Sequence, residues 1–500
     1  MKVTLAKGIH LYEHQRSDLR FFWERTRACN FSEMGAGKTL PTAVCAAGLL
    51  QDGLVNKVVI LVPPILMHDW RRVFEGQLDM GIKPYVYHGF DREKRRLLDE
   101  DVIITSYQIF VNEYLRVKVK INKKGNRVKK SIREVDLTSI WLMLARMGTC
   151  LVVDEASFLR RWDSLRTFAV QDFSWRCRRF YALSGNPAPN GPIGYFPLLY
   201  MMDRGLYPTE RYFMYMHCIV EGAFKAIVAY RDLDALSANV AQFSVRHLKA
   251  ECLDLPQRLQ QVREIEMSPN QDVLYQQALE EQFLELPDGR VIDIANAYQI
   301  ITRSRQLASN PMTLGFNIRC PKFEALETDL DSIAKEGKKV VVFIEFVKTG
   351  EMVLELVKKL GWDAAAMFGD HDKEAEKVRF QTDPKCNLIV VNPASGGLGT
   401  NLSMANYELF FEYSYNLDHH DQALERAHRP GLVGPLTVIY YVMKETVEVG
   451  IMQSLQKKKT LSADVLRDPV SLRNFVNYRP KVKSQLVDIE AFGDEEEEVA

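Results

Sequence analysis

The chain lacks several features that would assign it to a specialised class of protein. It has no excess of either charge, because 65 Lys and Arg residues balance 65 Asp and Glu residues. A net charge of zero means that only a local basic cluster can indicate a nucleic-acid partner. None of the eight cysteines forms a C-x-x-C pair, which argues against a zinc ribbon or a dithiol redox site.

Long hydrophobic runs are also missing. The best one, Val58 to Met67, is interrupted by Pro63 and Pro64. It is well short of the roughly 18 apolar residues that a membrane-spanning helix needs. The N-terminus has no apolar stretch of the signal-peptide kind. We therefore expect a cytoplasmic protein.

What the chain does contain is enough apolar sequence for more than one core. Its 500 residues are 47% hydrophobic, which is ordinary for a globular protein of at least two domains. Short apolar runs alternate with amphipathic stretches, a pattern that predicts an α/β fold with parallel sheets. The predicted strands are Ala28–Ser32, Lys57–Val62, Val102–Thr105, Leu151–Val153, Phe180–Leu183, Lys339–Ile344, Leu388–Val391, Tyr407–Phe411 and Thr437–Tyr441.

The gap between the two sets of predicted strands suggests the domain boundaries. Residues 1–200 are predicted to form a first lobe, which carries a basic hairpin insert at 116–133. Residues 201–315 have Met, Tyr, Leu and Gln at helical spacing and are predicted to be a helical insertion and linker. Residues 316–480 are predicted to form a second lobe. The acidic end, residues 481–500, is predicted to be a disordered tail.

The clearest local motif is a phosphate-binding loop. Ser32-Glu33-Met34-Gly35-Ala36-Gly37-Lys38-Thr39 follows an apolar run and precedes a helix of small residues. Glycines allow backbone N–H groups to approach phosphate oxygens, and Lys38 would neutralise the β- and γ-phosphates. Thr39 would ligate Mg²⁺. Ser32 departs from the strict pattern, which has glycine at that position.

Two further motifs complete a nucleotide site. The strand Leu151–Val153 ends in Asp154-Glu155, where Asp154 would hold Mg²⁺ and Glu155 would orient or deprotonate the attacking water. Upstream of the loop, the amide of Gln15 could pair with the N6/N7 edge of adenine. Each of these motifs taken alone also fits a solvated charge pair or surface residue.

Two motifs near the C-terminus indicate a second functional half. Ala394 to Leu402 is a glycine-rich loop that allows close backbone approach to a ligand. Arg426 and Arg429 are three residues apart and would share one face of a helix. Two guanidinium groups on one face suit a phosphate clamp or arginine finger.

Taken in order, these motifs resemble those of superfamily 2 helicases, and most closely those of Swi/Snf-type DNA translocases. The resemblance covers about residues 10 to 450. The matching segments are Tyr12 with His14 and Gln15, Met34 to Thr39, Leu61-Val62-Pro63 with Trp70, Ile104 to Tyr107, Asp154 to Ala156, Leu183 to Pro187 with Asn190, Leu255-Pro256, Arg305 to Pro311, Phe343, Gly396 to Leu402, and Gln422 to Arg429.

This resemblance implies two tandem RecA-like lobes and an ATP-hydrolysing motor that uses Mg²⁺. The implied catalytic residues are Lys38, Asp154, Glu155, Arg426 and Arg429. The implied nucleotide contacts are Tyr12, Gln15, Met34, Gly35, Ala36, Gly37, Lys38, Thr39, Gly399, Arg426 and Arg429, with Thr39 and Asp154 on the metal. The family further implies a monomeric motor on duplex or branched DNA rather than RNA, similar to compact bacterial or bacteriophage relatives.

Two positions depart from the family pattern. Ser157 stands where the Asp-Glu motif usually has His, and Asn186 stands where the next motif usually has Thr. In the family these positions couple hydrolysis to nucleic-acid contact, so that coupling could be altered here.

Nucleic-acid contacts are predicted at the strand ends and in the basic insert. Nine Lys or Arg residues and no acidic residue lie between Arg116 and Arg133, in a pattern that predicts a β-hairpin with one basic face. A solvated charged face is the competing interpretation. The predicted contacts are Pro63, Ser106, Lys118, Lys120, Lys123, Lys124, Gly397 and Asn401.

Three functions fit the sequence. The first is a DNA-stimulated ATPase that translocates along duplex DNA. The second is a helicase that separates strands or migrates branches on forked DNA or RNA. The third is a catalytically inactive nucleic-acid-binding scaffold, which is disfavoured because every catalytic position of the motifs is retained.

Overall fold

The structure is a computed structural model of the chain. It describes residues 3–89, 92–121, 127–222, 226–281, 283–288, 291–293, 297–396, 401–414 and 416–466. The described residues divide into two compact units, one within residues 3–253 with 461–466 and one within residues 254–460. Within the described residues, no helix is both long and apolar enough to cross a membrane.

The strands are numbered along the chain. They are β1 Arg27–Asn30, β2 Lys57–Val62, β3 Tyr85–Tyr87, β4 Val102–Ser106, β5 Leu115–Ile121, β6 Arg127–Val135, β7 Thr149–Val153, β8 Arg179–Leu183, β9 Cys218–Glu221, β10 Ala226–Tyr230, β11 Ser244–Val245, β12 Arg258–Ile265, β13 Phe283–Glu285, β14 Val291–Asp293, β15 Lys339–Phe343, β16 Asp363–Met367, β17 Cys386–Val391, β18 Ala405–Phe410 and β19 Leu436–Met443.

The α-helices are numbered in the same way. They are α1 Glu13–Glu24, α2 Thr39–Gln51, α3 Met67–Arg72, α4 Arg96–Asp99, α5 Tyr107–Tyr114, α6 Ile140–Arg146, α7 Leu165–Arg176, α8 Tyr195–Met202, α9 Glu210–His217, α10 Leu233–Phe243, α11 Lys249–Cys252, α12 Pro269–Glu281, α13 Ala297–Ser309, α14 Lys322–Ala334, α15 Val347–Lys359, α16 Lys373–Thr382, α17 Pro393–Gly396, α18 Leu417–Leu424 and α19 Val447–Leu466.

The first unit is built on a parallel sheet in the order β11-β1-β8-β7-β2-β4-β3. Every residue of β2 is buried, as expected for a strand covered on both faces. Val59 and Leu61 pack into the core on one face, whereas Val58 and Ile60 pack into the core on the other. The strands run in one direction, so the loops after β1, β2, β4 and β7 lie at the same edge of the sheet.

The second unit has a parallel sheet of its own, in the order β12-β19-β18-β15-β17-β16. Val340 and Val342 of β15 pack on one face, and Val341 and Phe343 pack on the other. The edge strand β12 begins only a few residues after the unit boundary and alternates between half-buried and exposed positions. Two α/β units with parallel sheets confirm the predicted fold class.

The unit boundary differs from the predicted one. The stretch 201–315, predicted as a helical insertion, is shared between the two units and contains strands β9 to β14 as well as helices. Strand β11 completes the first sheet, and β12 opens the second. The boundary therefore falls at Leu253–Asp254 rather than around residue 200 or 315. The predicted tail at 481–500 lies outside the described residues.

The basic insert consists of β5 and β6, which pair in antiparallel register from Leu115 opposite Val135. This is the strand pairing that the sequence predicts for 116–133. Residues 122–126, which include Lys123 and Lys124, lie outside the described residues, and the side chains of Lys118 and Lys120 are not described either.

Candidate functional site: a nucleotide pocket at the edge of the first sheet

The phosphate loop connects β1 to α2, which begins at Thr39. Gly35 and Gly37 have φ angles of 82° and 81°, in the left-handed region that favours glycine. A β-carbon on Gly37 would also lie 2.5 Å from the Gln15 side-chain nitrogen. The loop therefore needs glycine at Gly37 for its backbone angle, and a side chain there would also displace the Gln15 amide.

Lys38 folds back over its own loop. Its ammonium group donates hydrogen bonds to the carbonyl oxygens of Ser32 at 2.8 Å and Glu33 at 3.0 Å. Burial lowers the pKa of Lys38, and the carboxylates of Glu155 and Asp154 act in the opposite direction. The lysine and the acid pair are thus close enough to influence each other, as a shared triphosphate site requires.

Asp154 follows β7 directly and is 8% exposed. Its Oδ2 accepts a hydrogen bond from the indole nitrogen of Trp70 at 2.7 Å, and its backbone carbonyl accepts one from the Tyr107 hydroxyl at 2.7 Å. Burial raises the pKa of Asp154, whereas the hydrogen bond from Trp70 and the charge of Lys38 lower it. Trp70 belongs to a motif that the sequence identified, but its contact with Asp154 could not be predicted from the pattern.

Glu155 has a left-handed backbone, with φ of 52°. A non-glycine residue in this region costs about 1–3 kcal/mol and is common at functional positions. The conformation lets the Glu155 N–H donate to Asp154 Oδ1 at 2.9 Å and starts a 3₁₀ turn over Ala156–Leu159. The left-handed backbone of Glu155 and its hydrogen bond to Asp154 therefore fix the two residues relative to each other.

The upstream motif packs directly on the phosphate loop. The Gln15 side chain donates to the carbonyl of Gly37 at 3.0 Å and accepts from the N–H of Tyr12 at 3.0 Å. His14 Nε2 lies 2.9 Å from the carbonyl oxygen of Ala36, and its ring stacks on Tyr12 at 5.8 Å. The structure thus places Gln15 and Tyr12 beside the loop, with the Gln15 amide bonded to the protein backbone.

The segment after β8 also touches the phosphate loop. A β-carbon on Gly185 would lie 2.5 Å from Met34 Cγ, so this close approach requires glycine. Ser157 and Asn186, the two departures from the family pattern, are 3% and 7% exposed. Both side chains are buried within the first unit, so neither is exposed on its surface for direct contact with DNA.

The arginine motif lies in the second unit, and its geometry differs from the prediction. Helix α18 ends at Leu424, so Arg426 and Arg429 lie in the turns beyond it and not on one helical face. Arg426 is 1% exposed, and Arg429 donates through Nε to the carbonyl of Glu425 at 2.8 Å. The helix assumption was wrong because the chain turns after Leu424, although both arginines stay within one short segment.

Several groups hold this arginine segment in place. Arg258 of β12 donates to Glu425 Oε1 at 2.7 Å, and Ala427 N–H donates to the buried Glu408 of β18 at 3.2 Å. Burial raises the pKa of Glu408 to about 8, against the opposing effects of the Ala427 N–H and the Arg258 charge. The N–H of Leu402 donates to the Arg426 carbonyl at 3.1 Å, which links the glycine-rich motif to the arginine motif.

The predicted DNA contacts are only partly described. Pro63 follows Val62, the last residue of β2, and Val62 pairs with Ser106, the last residue of β4. Ser106 is 3% exposed and its hydroxyl accepts from Ile109 N–H as the cap of α5, so its side chain serves the fold. Asn401 is exposed and accepts from Ser403 N–H at 3.0 Å. Gly397 and Gly399 lie outside the described residues.

Comparison with known proteins defines the class. Residues 14–313 match the model of the SNF2-related domain, and residues 321–431 match that of the helicase conserved C-terminal domain. Together, these two matches span most of the chain. The chain belongs to the SNF2-related family, which confirms the resemblance seen in its motifs.

Individual relatives are distant and mostly longer. The chain is 22% identical to the CHD3-type chromatin-remodeling factor PICKLE of Arabidopsis thaliana, over 89% of this chain and 33% of that protein. It is 22% identical to the DEAD/H box 1 homolog of the SWI/SNF-related regulators of chromatin in Caenorhabditis elegans, over 92% of this chain and 52% of that protein. It is also 22% identical to chromodomain-helicase-DNA-binding protein 7 of Gallus gallus, over 92% of this chain and 16% of that protein. The chain thus spans about half of these relatives' length or less.

Among solved structures, the SWI2/SNF2 ATPase core of Sulfolobus solfataricus in complex with dsDNA is similar to this chain. The TM-score is 0.42 at 20% identity, over 94% of this chain and 98% of that one.

Proposed function

We propose that the chain is a motor that couples ATP hydrolysis to movement along duplex DNA. The observation that carries the proposal is the arrangement at one edge of the first sheet, where Lys38 folds over the loop after β1 and Asp154 and Glu155 follow β7. That arrangement serves hydrolysis of a triphosphate. Membership of the SNF2-related family and a relative named for DNA binding support DNA as the track.

The residues present fit ATP and a divalent cation. Gly35 and Gly37 allow the left-handed backbone of the loop, and Lys38 would exchange its two carbonyl partners for phosphate oxygens. Thr39 and Asp154 would hold Mg²⁺, which neutralises charge on the phosphates. Trp70 already occupies Asp154 Oδ2, so this tryptophan would fix the orientation of the carboxylate.

In this proposal Glu155 orients a water for attack on the γ-phosphorus and accepts its proton, giving ADP and inorganic phosphate. The resemblance of their motif assigns Arg426 and Arg429 of the second unit a role in binding phosphate charge during turnover. Glu425 and Ala427 of the same segment are hydrogen-bonded to Arg258 and Glu408, and these bonds would keep the two guanidinium groups in position between turnovers. DNA binding would favour the conformation that hydrolyses ATP and so raise the ATPase rate.

A panel of nucleic acids tests the proposal. The ATPase rate is measured with no nucleic acid and with duplex DNA, single-stranded DNA, forked DNA and RNA at matched nucleotide concentrations. The proposal predicts the largest stimulation with duplex DNA. Greatest stimulation by a fork, together with strand separation, would instead favour the helicase, for which the β5–β6 hairpin could act as a wedge.

A further inference from the structure

The chain segment after β11 makes an unexpected set of contacts with the phosphate loop. The pairing of β1 with β11 continues beyond both strands, because Phe31 N–H donates to the Val245 carbonyl at 2.9 Å and Glu33 N–H donates to the His247 carbonyl at 3.0 Å. Lys249 N–H then donates to the Glu33 carboxylate at 2.8 Å. The first half of the loop is thus held as an extension of the sheet.

Ser32 is the focus of these contacts. Its N–H donates to the Asn30 side-chain oxygen at 2.9 Å, and its hydroxyl oxygen accepts from His247 N–H at 3.1 Å. Glycine at this position, as the strict phosphate-loop pattern has it, could not make the second bond. The Ser32 and Glu33 carbonyls are the two acceptors of Lys38, so the segment fixes the groups that position the lysine.

The His247 side chain anchors the segment to α1. Its Nε2 lies 2.9 Å from Oδ1 of Asp18, which is 1% exposed. The other carboxylate oxygen of Asp18 accepts from the Asn30 amide at 2.7 Å. Asp18, Asn30, Ser32 and His247 therefore form a connected network beneath the loop, built from three separate parts of the chain.

We propose that His247, with Asp18, is a positioning residue for the phosphate loop and holds Ser32 and Glu33 in the arrangement that binds nucleotide. This inference rests on the ATPase activity and is independent of the proposed movement on DNA. The network touches neither Asp154 nor Thr39, so it acts through the loop. Its loss should weaken nucleotide binding and leave the hydrolysis step largely intact.

The network should also give nucleotide binding a pH dependence. The hydrogen bond to Asp18 raises the pKa of His247, burial opposes this, and the Asp18 and Glu251 charges add to the increase. His247 therefore stays protonated to a higher pH than an ordinary histidine. Its ion pair with Asp18 weakens as the pH rises through the raised pKa of His247. The titratable side chains on elements around this imidazole are His14, Asp18, Glu33, Lys249 and Glu251.

The test compares His247→Ala and His247→Gln with the wild type in the full chain. We expect His247→Ala to raise the KM for ATP about tenfold with kcat within about twofold, because one charge-assisted hydrogen bond is removed. MgADP affinity, measured by calorimetry without DNA, should fall by the same factor. His217→Ala is the control, since it removes another histidine of the first unit, a buried one whose Nε2 lies 2.7 Å from the Tyr207 hydroxyl.

His247→Gln keeps a neutral donor, so it should bind nucleotide almost normally but show no pH step. The titration of ATP itself affects both KM values equally. Dividing the KM of the wild type by the KM of this variant therefore cancels that effect. We expect that ratio to change as the pH rises through a His247 pKa that lies above the value of an ordinary histidine. Asp18→Asn should move the change to lower pH.

Two results would overturn the proposal. One is a folded His247→Ala protein with unchanged KM and MgADP affinity, which would leave the His247 side chain without a role in nucleotide binding. The other is a KM ratio of wild type to His247→Gln that is flat with pH, which decides the matter even if the alanine variant does not fold. Failure of DNA to stimulate the ATPase would affect neither measurement.

Discussion

The indole nitrogen of Trp70 donates a hydrogen bond to Asp154 Oδ2 at 2.7 Å. Trp70 lies on α3 and is 1% exposed, so the bond is shielded from water. It occupies one carboxylate oxygen, while the N–H of Glu155 approaches the other at 2.9 Å. An outer partner of this kind orients a metal-binding carboxylate.

Trp70→Phe should therefore weaken Mg²⁺ binding. We expect the Mg²⁺ concentration for half-maximal ATPase rate to rise about 10-fold or more, the usual cost of removing an outer partner. Trp141→Phe is the matched control, because Trp141 is also buried in the first unit and donates through its indole nitrogen to Glu113 at 3.3 Å. Equal Mg²⁺ dependence in the two variants would show that the Trp70 bond has no special role.

Gly37→Ala should abolish nucleotide binding. The substitution combines a left-handed φ of 81° with a β-carbon 2.5 Å from the Gln15 amide nitrogen. Gly53→Ala is the control, since Gly53 has φ of 66° and open space around it. That control should lose about 1–2 kcal/mol of stability, measured by thermal unfolding, and keep its ATP affinity. Normal ATP binding by Gly37→Ala would contradict the packing described for the loop.

Much of this architecture could be predicted from sequence because buried parallel strands are short, apolar and β-branched, as β2 and β17 are. Strand β12 was missed because Arg258, Gln260 and Arg263 make it look polar, although an edge strand tolerates that pattern. Strand β16 was missed because three alanines give little β-propensity. The His247–Ser32 hydrogen bond spans more than two hundred residues, and no local pattern encodes it.

Breaking the Arg258–Glu425 pair should slow turnover more than it weakens ATP binding. The two side chains are 14% and 16% exposed, so Arg258→Met leaves a poorly solvated carboxylate beside the arginine segment. We expect kcat to fall about tenfold, with partial recovery when the charges are exchanged by Arg258→Glu with Glu425→Arg. Arg319→Met, which breaks an exposed pair with Glu327, should change little. Equal effects from the two Met variants would refute a positioning role.

The basic hairpin should contribute to the salt dependence of DNA binding. Changing Lys118, Lys120, Lys123 and Lys124 to Gln removes four charges that could pair with phosphates. The slope of log affinity against log salt should then fall by up to about 0.9 for each phosphate that is no longer neutralised, as measured by fluorescence anisotropy with duplex DNA. The control changes four exposed lysines of the second unit, Lys335, Lys338, Lys358 and Lys359. An unchanged slope would mean that the hairpin is a solvated face.

Displacement of a triplex-forming strand from duplex DNA tests the central claim most directly, because it reports movement along the duplex without strand separation. The account predicts displacement that requires ATP, stops with a non-hydrolysable analogue, and disappears in Lys38→Ala while DNA binding is retained. An ATPase that duplex DNA stimulates but that leaves the third strand in place would contradict it.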